Sequence, residues 1–180
     1  MKEIDNILTR NSPLQLCEPY PSDEQMDIVY KAALRAPDHA WLRPSRFLQV
    51  TGDGLDKLSK IFYQYAKENM GDISEDKLMK YKKAPFRAPM IIILITNVTN
   101  HPSVPEHEQM FSTAAAAQNI LLALHAFKFG GIWRTGKFAM NKDIEKSLGL
   151  ASNQKILGFL YVGTPCGRAP MPFSVTPNPQ

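Results

Sequence analysis

The sequence predicts a helix-rich layered fold, α+β or α/β, in a single domain spanning residues 1–180. Three observations point there. Apolar residues recur at helical spacing in several segments. Three apolar or β-branched runs read as strands. No two-residue hairpin joins those runs, so helices must carry the chain between them. Strands separated by helices need crossovers, and the sheet is therefore expected to be at least partly parallel. A chain of this length buries about 70% of its unfolded surface.

The elements follow in order. Ile4, Ile7 and Leu8 make a short helical stripe that ends at Asn11-Ser12-Pro13. Ser22-Asp23-Glu24-Gln25 reads as a capping box, with Ser22 as N-cap and Gln25 three residues on. The helix it opens runs through Met26, Val29, Ala33 and Leu34 and should stop before Pro37. Phe47 to Thr51 reads as a strand closed by Gly52-Asp53-Gly54. Leu55, Leu58, Ile61, Tyr65 and Ala66 give another helix, stopped by Gly71, and Ser74 to Lys83 a shorter one. Met90 to Thr96 is a continuous apolar run rich in isoleucine, expected as a central strand. The longest helix is expected from about Glu106 to Phe129, with Gly130-Gly131 stopping it. Its run Ala114 to Ala117 has little bulk and permits close packing against a helix or a flat ligand. Ile156 to Val162 is the last strand, and the proline-rich tail from Thr164 is expected to be extended.

Composition excludes several classes. Apolar content of 44% and charge of 21% are those of a soluble globular protein. No stretch reaches the ~20 apolar residues of a membrane span. With Glu3 and Asp5 near its start, the chain shows no apolar signal core, so a cytoplasmic location is expected. A net charge of +4 is weak evidence for nucleic acid. The basic stretch Lys77 to Arg87 lacks a glycine-aromatic RNA-binding signature and reads as a solvated helix face. Cys17 and Cys166 are too few for a disulfide scaffold and have no CxxC partner. His101, His107 and His125 form no HExxH pattern, and no metal is expected. No phosphate-loop, GxGxxG or GxSxG motif is present.

Four segments can carry chemistry. Arg10-Asn11-Ser12 offers a guanidinium, an amide and a hydroxyl to a phosphate. Equally, Arg10 can meet the dipole at its helix end and Ser12 can cap a turn. Arg35-Ala36-Pro37-Asp38-His39 stops a helix at proline and then sets two titratable groups side by side. Gly130-Gly131-Ile132-Trp133-Arg134-Thr135-Gly136 permits tight turning and close approach of a ligand to the amides of Trp133, Arg134 and Thr135. Its plain structural reading is a helix cap followed by a core tryptophan. Gly163-Thr164-Pro165-Cys166-Gly167-Arg168 leaves the last strand with a basic residue that is either a second phosphate contact or an ordinary surface arginine.

In this order the segments resemble the nitroreductase family of FMN-dependent oxidoreductases, closest to its compact bacterial branch. The markers are Arg10-x-Ser12, Arg35-Ala36-Pro37-Asp38-His39, Ala84-Pro85-Phe86-Arg87-Ala88-Pro89, Gly130 to Gly136, and Gly158-Phe159-Leu160-Tyr161-Val162-Gly163-Thr164-Pro165. The resemblance implies an α+β fold with a central mixed sheet flanked by helices. It also implies a homodimer with two FMN sites shared between subunits. It places Arg10, Asn11, Ser12 and Arg168 at the FMN phosphate and Trp133, Arg134 and Thr135 along the isoalloxazine edge. Arg35 and His39 would reach the flavin from the partner subunit. The chain departs from the family at Asn11, where a second arginine is usual. Leu14 and Gln15 stand where a basic residue is usual, and Arg43-Pro44-Ser45 stands where Gln-Pro-Trp is common.

The mechanism this implies is ping-pong. NAD(P)H gives a hydride to the flavin and leaves, and a nitroaromatic, quinone or related small acceptor takes its place. A cation near the flavin, Arg35 or Arg134, would stabilise its reduced anionic form. The alternative is a flavin-binding sensor or carrier with little turnover. A basic nucleic-acid-binding domain is the third and least supported reading.

Overall fold

The computed structural model describes residues 2–167, so the expected site residue Arg168 and the proline-rich tail beyond it lie outside the described residues. The elements are α1 (Glu3–Thr9), β1 (Leu16–Cys17), α2 (Asp23–Ala33), β2 (Ser45–Thr51), α3 (Asp53–Asn69), α4 (Glu75–Lys82), β3 (Met90–Asn97), α5 (Glu106–Ala126), β4 (Gly130–Arg134), α6 (Lys142–Ser147) and β5 (Gln154–Pro165). Short 3-10 turns cover Ala84–Arg87 and Gly136–Phe138, and a turn with left-handed residues covers His39–Trp41. The capping box at Ser22 is formed: its side chain accepts from the Gln25 amide while the Gln25 side chain accepts from the Ser22 amide.

The sheet sits between two helical layers. Alternate residues of β3 divide its side chains between two cores. Ile91, Ile93 and Ile95 join Phe159 and Tyr161 of β5 beneath α3 and α6, where Phe62 and Phe138 stack with ring centroids 3.9 Å apart. Met90, Ile92 and Leu94 join Leu160 and Val162 beneath Met26 and Val29 of α2 and Ala116, Ala117 and Ile120 of α5. The expected central strand is therefore buried on both faces.

Every strand pairing among the described residues is antiparallel, which corrects the expectation of a mixed, partly parallel sheet. The expectation missed two features of the connections. Between β2 and β3 the chain crosses as a pair of packed helices, α3 and α4, and so returns to the end it left. After β3, α5 does carry the chain across to β4, which runs in the same direction as β3. But β5 is inserted between them, pairing Leu160 and Tyr161 with β3 on one edge and β4 on the other. Strands β3 and β4, which share a direction, are not paired with each other.

Glycines 130 and 131 also differ from expectation. They lie inside β4, and α5 ends earlier, at Ala126, with Phe127 as its C-cap and Lys128 following in a left-handed conformation (φ 69°). Glycine is required in β4 by close approach rather than by a turn. A Cβ on Gly130 would stand 2.5 Å from the Pro13 ring, and one on Gly131 would stand 2.6 Å from Leu121.

Cys17 and Cys166 form a disulfide across 149 residues, with a Cα–Cα distance of 5.9 Å. Their meeting follows from the ladder, because β1 pairs Cys17 with Thr164 of β5. Local spacing could not show it. The bond persists only under oxidising conditions. It closes most of the chain into a loop and restricts the unfolded ensemble. Cys17→Ser is expected to lower the free energy of unfolding by about 2–5 kcal/mol relative to the oxidised protein. Denaturant titration with and without dithiothreitol checks this, since reduction should abolish the difference between variant and wild type.

Helix α1 docks on α5 through polar contacts. The Asn6 side chain donates to Leu122 O at 3.0 Å, and Thr9 Oγ1 lies 3.0 Å from His125 Nε2. Burial, then the charges of Arg10 and Lys128, hold the His125 imidazole below its ordinary value of 6.5. The unfolded chain then binds the extra proton more readily, so this contribution is complete above about pH 6.5 and is lost as pH falls through the window below it. Urea unfolding at about pH 7.5 and about pH 5.5 should show a smaller loss of stability on acidification in His125→Gln than in wild type.

Candidate functional site

The first cluster lies at the C-terminal end of α1 and in the loop that follows it. Arg10 caps α1, and its Nη1 donates to Asn11 O at 2.9 Å and to Ser12 Oγ at 3.3 Å. Guanidinium and hydroxyl are thus adjacent, as the sequence predicts for an anion site. Asn11 contributes its carbonyl to Arg10, and its side chain bonds back to Thr9 O. The next residue, Pro13, is buried and packs on Gly130, so the loop is seated on the start of β4.

The far end of β4 carries Trp133 and Arg134. At about 3.3 Å per residue, the strand spans about 13 Å from Gly130 to Arg134. Trp133 lies over Gly158, where a Cβ would collide with the indole nitrogen. A register shift between Leu94 and Ile95 places a bulge in β5 beside Gly158. Two buried groups here have no protein partner: the Trp133 indole Nε1 and the Arg134 Nε. The Arg134 guanidinium stands 5.6 Å from the Tyr161 ring centroid. Burial pushes the Tyr161 phenol up, against the charges of Arg87 and Arg134. Thr135 is exposed just beyond the strand. Among the described residues β4 pairs only with β5, so its other edge leaves backbone groups open.

The second cluster surrounds the end of α2. A cleft of about 380 Å³ is lined by Arg35, Asp38, Trp41, Arg43, Ser45 and Ser112, among others. Ala40, Trp41 and Arg43 adopt φ of 58°, 57° and 51°. Left-handed conformations cost a non-glycine residue about 1–2 kcal/mol each. Asp38 helps to hold the turn, its carboxylate accepting from the Arg43 amide at 2.8 Å. His39 Nδ1 lies 2.5 Å from Glu108 Oε2 at the start of α5.

Within one chain these clusters do not all meet. Arg10 sits beside Thr9 and His125, whereas His39 is fastened to Glu108 on the same helix. From position 108 to position 125 a helix rises about 25 Å. Sequence reasoning placed Arg10 beside Ser12, as the structure does, and singled out Trp133 and Arg134 in a glycine-rich turn where the structure has the end of β4. It did not single out Trp41, Arg43, Glu108 or His125 as site residues. Arg43 was marked only as a departure from a family pattern, and no local motif marks the other three. Among the described residues no group of three or more His, Cys, Asp or Glu side chains is placed to hold a metal ion.

These features suit a flavin mononucleotide. Arg10 and Ser12 match a phosphate, and buried N–H groups lacking an acceptor match the ring carbonyls and nitrogens of a heterocycle. Comparison with known proteins shows the family. The family model described as the nitroreductase family matches residues 14–164. YdjA of Escherichia coli K12, named as an NAD(P)H nitroreductase, is 35% identical over 180 residues, covering 99% of this chain and 96% of that protein. A Haemophilus influenzae protein of the same designation is 31% identical, covering 91% and 89%. The fold is similar to that of a nitroreductase-like protein from Bacillus cereus, with a TM-score of 0.78, 22% identity and coverage of 96% and 92%. It is also similar to a Desulfovibrio desulfuricans protein solved in complex with FMN, with a TM-score of 0.71, 22% identity and 99% of each chain covered. The chain belongs to the nitroreductase family.

Proposed function

We propose that the chain is an FMN-dependent oxidoreductase that takes electrons from NAD(P)H and passes them to nitroaromatic, quinone or related small acceptors. The observation that carries this reading is β4 itself. It is anchored at one end on the loop of Arg10 and Ser12 and carries the buried, unpartnered N–H groups of Trp133 and Arg134 at the other. When bound, FMN supplies the hydride and electron transfer that side chains lack. Arg10 and Ser12 bind its phosphate, with Arg168 as a further contact. Trp133, Arg134 and Thr135 orient its ring, and the Arg134 cation stabilises added negative charge. Donor and acceptor then occupy one position in turn.

The reading includes a homodimer in which Arg35 and His39 of one subunit complete the site of the other. Helix α1 buries none of its residues, and Ile4, Ile7 and Leu8 are all largely exposed. So are Ile28 of α2 and Phe111 of α5. Apolar side chains gathered on neighbouring helices mark an interface.

Two experiments test the reading. Cofactor released from the purified or reconstituted protein should be FMN rather than FAD, and Arg10→Ala should weaken its binding by about 1.5–3 kcal/mol, the loss of one charge-assisted contact. A folded Arg10→Ala variant with wild-type FMN affinity would return Arg10 to a purely structural role at its helix end.

The second mixes chains carrying Arg10→Ala with chains carrying Arg35→Ala. If each site draws on both subunits, a heterodimer gathers both lesions in one site and leaves the other intact, so up to about half of wild-type NADH oxidation returns per heterodimer, or about a quarter for a randomly paired one-to-one mixture. If each site lies within one chain, every site carries a lesion and no activity returns. That result would overturn the shared arrangement. Failure of the wild-type, FMN-loaded protein to oxidise NADH with any nitro compound or quinone would favour a flavin sensor or carrier instead.

A further inference from the structure

We propose that Trp41 and Arg43 set the acceptor specificity of this protein, selecting flat aromatic acceptors that bear an anionic group. The proposal rests on the flavin oxidoreductase reading above. Trp41 is 77% exposed although indole is among the side chains that gain most from burial. It lines the 380 Å³ cleft together with Arg43, whose guanidinium stands 5.4 Å from the indole centroid. Both residues, with Ala40, occupy left-handed backbone. Three such non-glycine residues within four positions persist only where the surroundings impose them, and such clusters occur at ligand clamps. Here Asp38 binds the Arg43 amide, Pro44 is buried directly after it, and His39 is tied to Glu108. The turn thus holds an aromatic face and a cation side by side at the mouth of a cleft.

The charge in the cleft indicates what it takes. With Arg35 assigned to the flavin, the charge left for an acceptor is that of Arg43, whose guanidinium forms no ion pair among the described residues, since Asp38 accepts only its amide. The remaining positive charge suits a carboxylate or similar anion, and a guanidinium binds a carboxylate in two-point fashion. An indole beside it offers a stacking surface to a planar ring. A neutral aromatic satisfies the indole and leaves the guanidinium unmatched. Aliphatic acids do the reverse. An aromatic acid satisfies both.

The test uses the FMN-loaded protein, with NADH held fixed and para-nitrobenzoate compared with nitrobenzene. Arg43→Ala should lower the ratio of kcat/KM for the anionic over the neutral acceptor about tenfold, with Arg43→Lys recovering part of it. Trp41→Ala should lower kcat/KM for both acceptors about three- to tenfold, with Trp41→Phe restoring most of it. Without turnover, titration with benzoate followed through the flavin difference spectrum should show binding about tenfold weaker in Arg43→Ala. A selectivity ratio and benzoate affinity within about twofold of wild type in that variant would overturn the proposal. So would a change in the preference for NADPH over NADH with the acceptor ratio unmoved, which would make the donor's phosphate the anion that Arg43 reads. Weaker self-association of Trp41→Ala with unaltered acceptor kinetics would make Trp41 an interface residue instead and equally overturn it. Bleaching of the flavin by NADH without acceptor reports separately on the oxidoreductase reading, and the benzoate titration decides the present one even if bleaching fails.

Discussion

Strand β5 is the constraint on which the rest depends, because it pairs with three of the other four strands. Its central residues are buried on both faces, so its backbone polar groups have no recourse to water and must be met by β3 and β4. With both edges occupied there, β4 is forced to the margin of the sheet and keeps one edge open. That margin is where the candidate flavin-binding residues stand. The same strand carries Gly158, over which Trp133 is laid, and Gly163, which pairs with Gly130. At its end it delivers Cys166 to Cys17. A lesion in β5 would therefore reach the ring end of the site, its anion end and the disulfide together.

Sequence reasoning saw the features that report locally. Helix α2 was visible through the Ser22–Gln25 capping box, and β3 through six consecutive apolar residues. Both are decided by neighbours a few positions away. The direction of the strands was not visible, because burial on both faces of β3 comes from two helical layers, and these cover an antiparallel sheet as well as a parallel one. Strand β4 was hidden by its glycines, which read as a turn when considered alone. Only contact with Pro13 and Leu121, distant in sequence, shows why they are required. Strand β1, with two residues, and α6, whose only buried apolar side chain is Ile144, leave too short a pattern to find.

The site shows the same division. Arg10 and Ser12 are neighbours in the chain, and their meeting was predictable. The left-handed turn at Ala40, Trp41 and Arg43 was not, because none of its residues is the glycine or asparagine that usually announces such backbone. What holds it is tertiary: the Asp38 carboxylate on the Arg43 amide and the tie between His39 and Glu108. A residue placed against its own preference by distant contacts leaves no local trace, and in this chain those residues line the cleft.

Helix α1 links cofactor and assembly in the proposed dimer. Seven residues are too few for a helix to be stable by itself. Within the chain it buries no side chain and leans on α5 through Asn6 and the Thr9–His125 contact. Its position therefore depends on what covers Ile4, Ile7 and Leu8, each able to contribute about 1.5–3 kcal/mol when fully buried. Arg10 ends the same helix, so whatever fixes the helix also fixes the guanidinium that would hold the phosphate. A partner subunit covering the apolar side of α1 would preorganise the anion site, and a bound phosphate would in turn hold α1 in the position that the partner recognises. Because the two equilibria share one weakly held element, each must strengthen the other to the same extent.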